Sequence, residues 1–327
     1  MRILVYGAGV IGSYLAHVLC AAGNDVSIAA RGERKNTLEK NGLVIHHYLQ
    51  KNTTVDHPRV VEIPENGVSY DAVFAVMQNQ QMWNILDFLA DADAQIIILV
   101  GNNMYAAEME NQILSNSKTP KTVLFGFQGT AGQRENDSIN CVRFGAGSMS
   151  LGGLHNSVNN EIKQKIISMF NNTKYNLTWE DDMDGWYKTH LTLILPVAYV
   201  CYTVDCDLHR TARQQRKLAL DAAGEACALL QHLNIPVLPK GDELYYQAGA
   251  KRKLMEAMLY FMAKTKVGEL AASDHCRHAV TEMESLDLAF QSMRQEKAPD
   301  FLMPAFDTLR RAMPEWPQLH NKFDIKS

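Results

Sequence analysis

The chain is poor in cysteine, and its thiols are scattered. Cys20, Cys141, Cys201, Cys206, Cys227 and Cys276 form no Cys-x-x-Cys pair. Neither a disulfide framework nor a thiolate zinc site is indicated, and most read as small core residues. There is no basic block either. Lys plus Arg number 32 against 36 Asp plus Glu, a net charge of −4. A mildly acidic chain is a poor partner for nucleic acid or for an anionic membrane surface. The longest apolar run, Leu191 to Cys201, is too short to cross a bilayer and contains Pro196. The opening "MRILVYGAGVIG" enters a strand at once, without the basic, apolar and cleavage segments of a signal peptide. Internal repeats and low-complexity tracts are absent too. The expectation is a soluble, cytoplasmic protein.

What the chain does have is core material and alternation. Hydrophobic residues make up 46% of 327 residues, enough for two domains of ordinary size. In the first half, strands and helices take turns. "RILVY", "DVSIA", "DAVFAV", "QIIILV" and "TVLFGF" are short strands, several of them continuously apolar, as in parallel sheets buried on both faces. Helical spacing separates several of them. "CVRFGAGSMSLGG" reads as short strands broken by glycine, an antiparallel extension. From about residue 180 the strand signals stop. Leu218, Ala222, Ala226, Leu229 and Leu233 recur at helical spacing. Further helices are expected over 243–264, 273–294 and 305–312. The fold class is α/β: an N-terminal Rossmann-type doubly wound sheet over 1–179 and an all-α domain over 180–327. The boundary falls near "TWEDDMDGW".

"GAGVIG" places Gly7, Gly9 and Gly12 in the G-x-G-x-x-G pattern, after a strand and at the start of a helix. Gly7 allows the tight turn, Gly9 lets backbone approach a pyrophosphate, and Gly12 lets helix and strand pack closely. The phosphates would rest on the helix N-terminus. The cofactor-binding candidates in this loop are Gly7, Ala8, Gly9, Val10, Ile11 and Gly12, and Arg31 and Lys35 join them from a later segment. At the end of the second strand an NAD enzyme usually carries Asp or Glu. Here the sequence is "AARGERK", with Arg31 at that position and Arg34 and Lys35 close by. Cations there suit a 2′-phosphate, so NADP is favoured over NAD.

A single lysine, Lys188, heads the apolar run of "WYKTHLTLILP". Lysine is seldom buried without a partner or a task. By itself it reads equally as a snorkelling or structural residue.

Taken in order, "ILVYGAGVIGSYLA", "AARGERKNTLEKNGL", "GNNM", "VLFGFQGTAGQ", "RFGAGSMSLGG", "WYKTHLTLILP", "NIPVLP" and "HAVTEMESLD" resemble the ketopantoate reductase (2-dehydropantoate 2-reductase) superfamily over most of the chain. The resemblance implies an NADPH-dependent reductase of a small 2-oxo acid, ketopantoate first among the substrates. It implies that Lys188 is the catalytic acid, since hydride addition builds negative charge on a ketone oxygen. A lysine partly desolvated beside an apolar helix suits that work. Asn102 matches the asparagine that touches the nicotinamide ribose or substrate and helps orient Lys188, and so joins the cofactor-binding candidates. Glu282 matches an acid that binds a substrate hydroxyl or balances the lysine. Asp274, His278 and Glu282 are four apart and share one helical face. A solvated stripe explains that spacing as well, and one helix alone rarely completes a metal shell, so no metal is expected.

The chain departs from the family pattern around the substrate. Thr192 and Leu195 stand where the family has asparagines, Met77 where it often has lysine, and Asn103 where it has glycine. Ser273 lies nearer Glu282 than the family's serine does. Thr192 and Ser273 are the substrate-contact candidates. His190, Thr192 and Tyr199 are expected to shape a different pocket, with His190 suited more to packing than to catalysis. Other readings are a hydroxy-acid or opine-type dehydrogenase, and a non-catalytic NADP-binding regulatory protein. Phe301, Leu302, Met303, Phe306 and Trp316 form an apolar cluster that fits either internal packing or a homodimer interface.

Overall fold

The computed structural model describes residues 1–62 and 67–323. The chain divides into two compact units, Met1–Met183 and Asp184–Ser327, a few residues beyond the boundary read from sequence.

In the first unit, the apolar runs become strands of one eight-stranded sheet. They are β1 (Arg2–Tyr6), β2 (Asp25–Ala29), β5 (Arg59–Val61), β6 (Tyr70–Val76), β7 (Ala94–Val100), β8 (Thr122–Gln128), β11 (Ser148–Gly152) and β12 (Asn176–Glu180). Their order is β12-β11-β8-β7-β6-β1-β2-β5. Every pairing is parallel except that of β11 with β8. The centre is the most apolar part, because helices cover a parallel sheet on both faces. Phe74, Ile97 and Ile98 are fully buried there.

Sequence reading missed a second sheet. It has four strands in the order β4-β3-β10-β9, from β3 (Leu43–His47), β4 (Asn52–Asp56), β9 (Thr130–Glu135) and β10 (Ser138–Arg143). β3 pairs in parallel with β10. The glycine-broken segment therefore splits, β10 going to this small sheet and β11 to the large one. Between the sheets, Tyr14, His17, His47 and Tyr175 form a ring cluster. His17 Nδ1 lies 2.7 Å from Asp56, and the Arg143 guanidinium lies over Tyr14.

The second unit is helical among the described residues. Its longest elements are Met183–Thr203, which runs through Pro196, and Arg213–His232. The buried stripe of the latter is largely alanine, which admits close neighbours. Helix Pro304–Ala312 packs there, and the Glu225 carboxylate accepts from the Ala305 and Phe306 amides at its start. That carboxylate satisfies amides that a helix N-terminus leaves open.

Asp287 is fully buried and accepts from four groups: Tyr199 Oη (2.7 Å), Arg310 Nε and Nη2 (2.9 Å each) and Trp316 Nε1 (3.1 Å). The apolar cluster packs internally, with Met303 and Phe306 fully buried and Trp316 nearly so, whereas Leu302 is 83% exposed.

Two of the expected helices are shorter. The one expected from residue 243 starts at Ala250, after Gly249 at φ +153°. The one expected over 273–294 is interrupted at Ala279 and preceded by a π-helical turn, Glu269–Ser273.

Candidate functional site

The three glycines divide the labour that their spacing implies. A β-carbon on Gly7 would lie 2.1 Å from the Val76 carbonyl oxygen, and one on Gly12 would lie 2.0 Å from the Gly7 carbonyl oxygen. Neither position admits a side chain. Around Gly9 no atom lies within 4 Å of a β-carbon position. Gly9 is the N-cap of helix Val10–Ala21 and has no side-chain cap. The loop thus combines open space with unsatisfied helix amides, the requirement for a bound pyrophosphate.

The basic residues after β2 separate into different roles. Arg31 is exposed at the N-cap of helix Gly32–Asn41. Lys35 is engaged with Glu62 at 3.0 Å. Arg34 turns to the loop instead: Nε donates to Ala8 O at 3.2 Å and Nη2 to Ser13 Oγ at 3.2 Å. Its Nη1 is buried without a hydrogen-bond partner among the described residues. Burial, and then Arg134, pull its pKa down to about 10. Arg34, more than Lys35, is the cation built into the glycine loop, and only its position in three dimensions reveals this.

Two further loops follow the neighbouring strands. A β-carbon on Gly101, after β7, would lie 2.8 Å from the Met77 carbonyl oxygen, after β6. Asn102 is 9% exposed. Asn103 Oδ1 accepts from Tyr105 N at 2.8 Å, where helix Ala106–Asn116 begins. Asparagine at this position serves as a turn residue. Asn79, which opens the short helix Asn79–Met82 after β6, is 1% exposed, and neither atom of its amide has a partner among the described residues.

In the second unit, Lys188 is half-buried and paired with Asp184, one turn earlier on the same helix. Of the two roles expected for Glu282, a substrate hydroxyl or the balance of the lysine, the second is taken by another carboxylate in the structure. The partner is Asp184, in the first turn of the helix, where a carboxylate is favoured by the dipole.

Trp186 and His190, also one turn apart, stack at 5.2 Å. Burial, and then the charge of His275, lower the His190 pKa to about 4. Glu282 is 3% exposed, and its Oε2 lies 3.5 Å from His275 Nε2. His278 Nδ1 lies 3.1 Å from Asp274, whose pKa burial raises. The interruption at Ala279 ends the continuous face expected for Asp274, His278 and Glu282. His275 is the residue that sequence reasoning missed: it stands seven residues before Glu282 and meets it across the interruption.

The substrate candidates are enclosed. Thr192 is fully buried, donates to Thr189 O at 2.8 Å, and accepts from Cys227 Sγ at 3.3 Å. Leu195 and Tyr199 are core residues. Ser273 is 2% exposed, on the wall of a cavity of about 300 Å³ that Cys206, Glu269 and Arg277 also line. Thr192 and Tyr199 are both fully buried.

The first unit has the architecture of a dinucleotide-binding domain. Residues 3–156 match the family described as ketopantoate reductase PanE/ApbA. It is 30% identical over 122 residues to the oxidoreductase YkpB of Bacillus subtilis (strain 168). That match covers 35% of this chain and 39% of the relative. Among solved structures, 2-dehydropantoate 2-reductase from Geobacter metallireducens GS-15 has the same fold. Its TM-score is 0.72 at 17% identity, over 95% of this chain and 98% of that one. D-mandelate dehydrogenase, solved with NADH and anilino(oxo)acetate, aligns at TM-score 0.69 and 15% identity, over 99% of this chain and 100% of that one.

Proposed function

We propose that the protein is an NADPH-dependent reductase of a small 2-oxo acid, with Lys188 as general acid. The observation that carries the reading is the glycine loop. It is closed at Gly7 and Gly12, open at Gly9, and held by an arginine whose buried Nη1 has no partner among the described residues. The amides from Gly9 to Ile11 would hold the pyrophosphate, and Arg31 and Arg34 a 2′-phosphate. The nicotinamide, when bound, supplies the hydride. Lys188 Nζ passes a proton to the substrate oxygen as negative charge develops on it. Asp184 holds the ammonium in one rotamer beforehand. Asn102 orients the ligand, and Glu282, tied to His275, accepts from a substrate hydroxyl.

A second reading is a hydroxy-acid dehydrogenase with another substrate. Two observations favour it: Thr192 and Leu195 in place of amides, and the fold shared with D-mandelate dehydrogenase. Amide groups that would pair with the polar groups of ketopantoate are absent at those two positions, and an unpaired substrate group costs roughly 1–3 kcal/mol.

The test is the loss of reduced-nicotinamide absorbance with NADPH or NADH, using ketopantoate beside aryl and aliphatic 2-oxo acids. NADPH is expected to be preferred about tenfold or more. Lys188→Ala should lower kcat about 10²–10⁴-fold while cofactor affinity stays within about twofold. A fully active Lys188→Ala enzyme would remove Lys188 from the mechanism.

A further inference from the structure

Asn79 presents a chemical imbalance. Its side chain is 1% exposed, and neither its oxygen nor its nitrogen has a hydrogen-bond partner among the described residues. A buried amide left unpaired destabilises a fold, and native proteins contain few of them. The position narrows what the missing partner is. The end of β6 lies between two glycine loops: Val76 O presses on Gly7, and Met77 O on Gly101. β6 also stands between β1 and β7 in the sheet. Asn79 lies three residues beyond Val76, as the first residue of the short helix Asn79–Met82, so this segment runs between the loop that would take phosphates and the loop that carries Asn102. In an open parallel sheet, ligands bind beyond the carboxyl ends of the strands.

We propose that Asn79 is a ligand-binding residue, and that its partner is the ribose diol on the nicotinamide side of the dinucleotide. The proposal rests on the reading of Gly7–Gly12 as a dinucleotide loop. The chemistry selects a diol over a phosphate. The amide offers both an acceptor and donors, and a vicinal diol both donates and accepts, whereas a phosphate oxygen only accepts. A diol satisfies both ends of the amide. The chain thus keeps a buried amide that has no partner among the described residues.

The experiment compares wild type, Asn79→Ala and the similarly sized Asn79→Leu in two measurements. One is the thermal unfolding midpoint without ligand. The other is the Kd for NADPH and for adenosine 2′,5′-bisphosphate, which lacks the second ribose. Asn79→Leu should unfold at the wild-type temperature or higher. Its NADPH Kd should rise about tenfold, while the bisphosphate Kd stays within about twofold. An unchanged NADPH Kd in both variants overturns the proposal. So does a lowered midpoint with equal loss of both ligands, which marks Asn79 as structural. If wild type binds neither NADPH nor NADH, the dinucleotide reading itself fails, before any variant is compared.

Discussion

The carboxyl end of β6 and the surroundings of Asp287 treat buried polar groups in opposite ways. Asp287 is fully enclosed, yet Tyr199, Arg310 and Trp316 meet both of its oxygens. Asn79 is almost as enclosed and has no partner among the described residues, and Arg34 Nη1 and Gln80 Oε1 share that state. The first arrangement joins helices Met183–Thr203, Val280–Lys297, Pro304–Ala312 and Trp316–Phe323 through one carboxylate. The second stabilises nothing by itself. Saturation marks scaffold, and unmet hydrogen-bonding capacity marks a surface prepared for something outside the chain.

The sharpest way to break this comparison is Asp287→Ala. It leaves a guanidinium, a phenol and an indole N–H without their acceptor, and should cost about 3–5 kcal/mol in chemical denaturation. A loss below about 1 kcal/mol would mean that the second unit does not depend on that carboxylate. Arg34→Ala comes next, weakening NADPH binding about tenfold or more through the lost phosphate contact. Equal weakening of NADH would assign Arg34 to the loop backbone instead of the 2′-phosphate.

A third prediction concerns pH. Burial, followed by Arg143 and His17, lowers the His47 pKa from 6.5 to about 4. Between those values the unfolded chain binds a proton that the folded chain refuses. The stability contribution is therefore full above pH 6.5 and is lost as pH falls toward 4, on the order of 2–3 kcal/mol. His47→Gln should flatten that part of the stability profile. A wild-type profile that is already flat across the window would refute the assignment. The smallest effect belongs to Lys35→Ala. An exposed ion pair contributes little, so the NADPH Kd should change by less than about twofold, and a larger change would return Lys35 to the phosphate site.

The sequence made the parallel sheet legible because β6 and β7 are apolar on both faces, and periodicity reads such runs directly. It made the glycine loop legible because Gly7 and Gly12 are steric necessities. The second sheet was hidden: its strands are short and half-exposed, and β3 finds its partner β10 far along the chain. Arg34 could not be told from Lys35, since neighbours in a basic run differ only in where their side chains end. His275 was hidden by the interruption at Ala279, which no proline or glycine announces. Thr192 was read as lining a pocket because resemblance fixes a position and does not report its burial.

The β3–β10 pairing also bears on how the protein is made. A nascent chain cannot complete the small sheet until residues 138–141 have left the ribosome, and β11 waits longer for β12. A fragment cut at residue 156, where the family match stops, would carry β11 with one edge uncovered. Exposed edges of that kind recruit other chains. Such a fragment is expected to aggregate on expression, whereas one extended through Glu180 carries β12, the sheet's own edge strand, over β11.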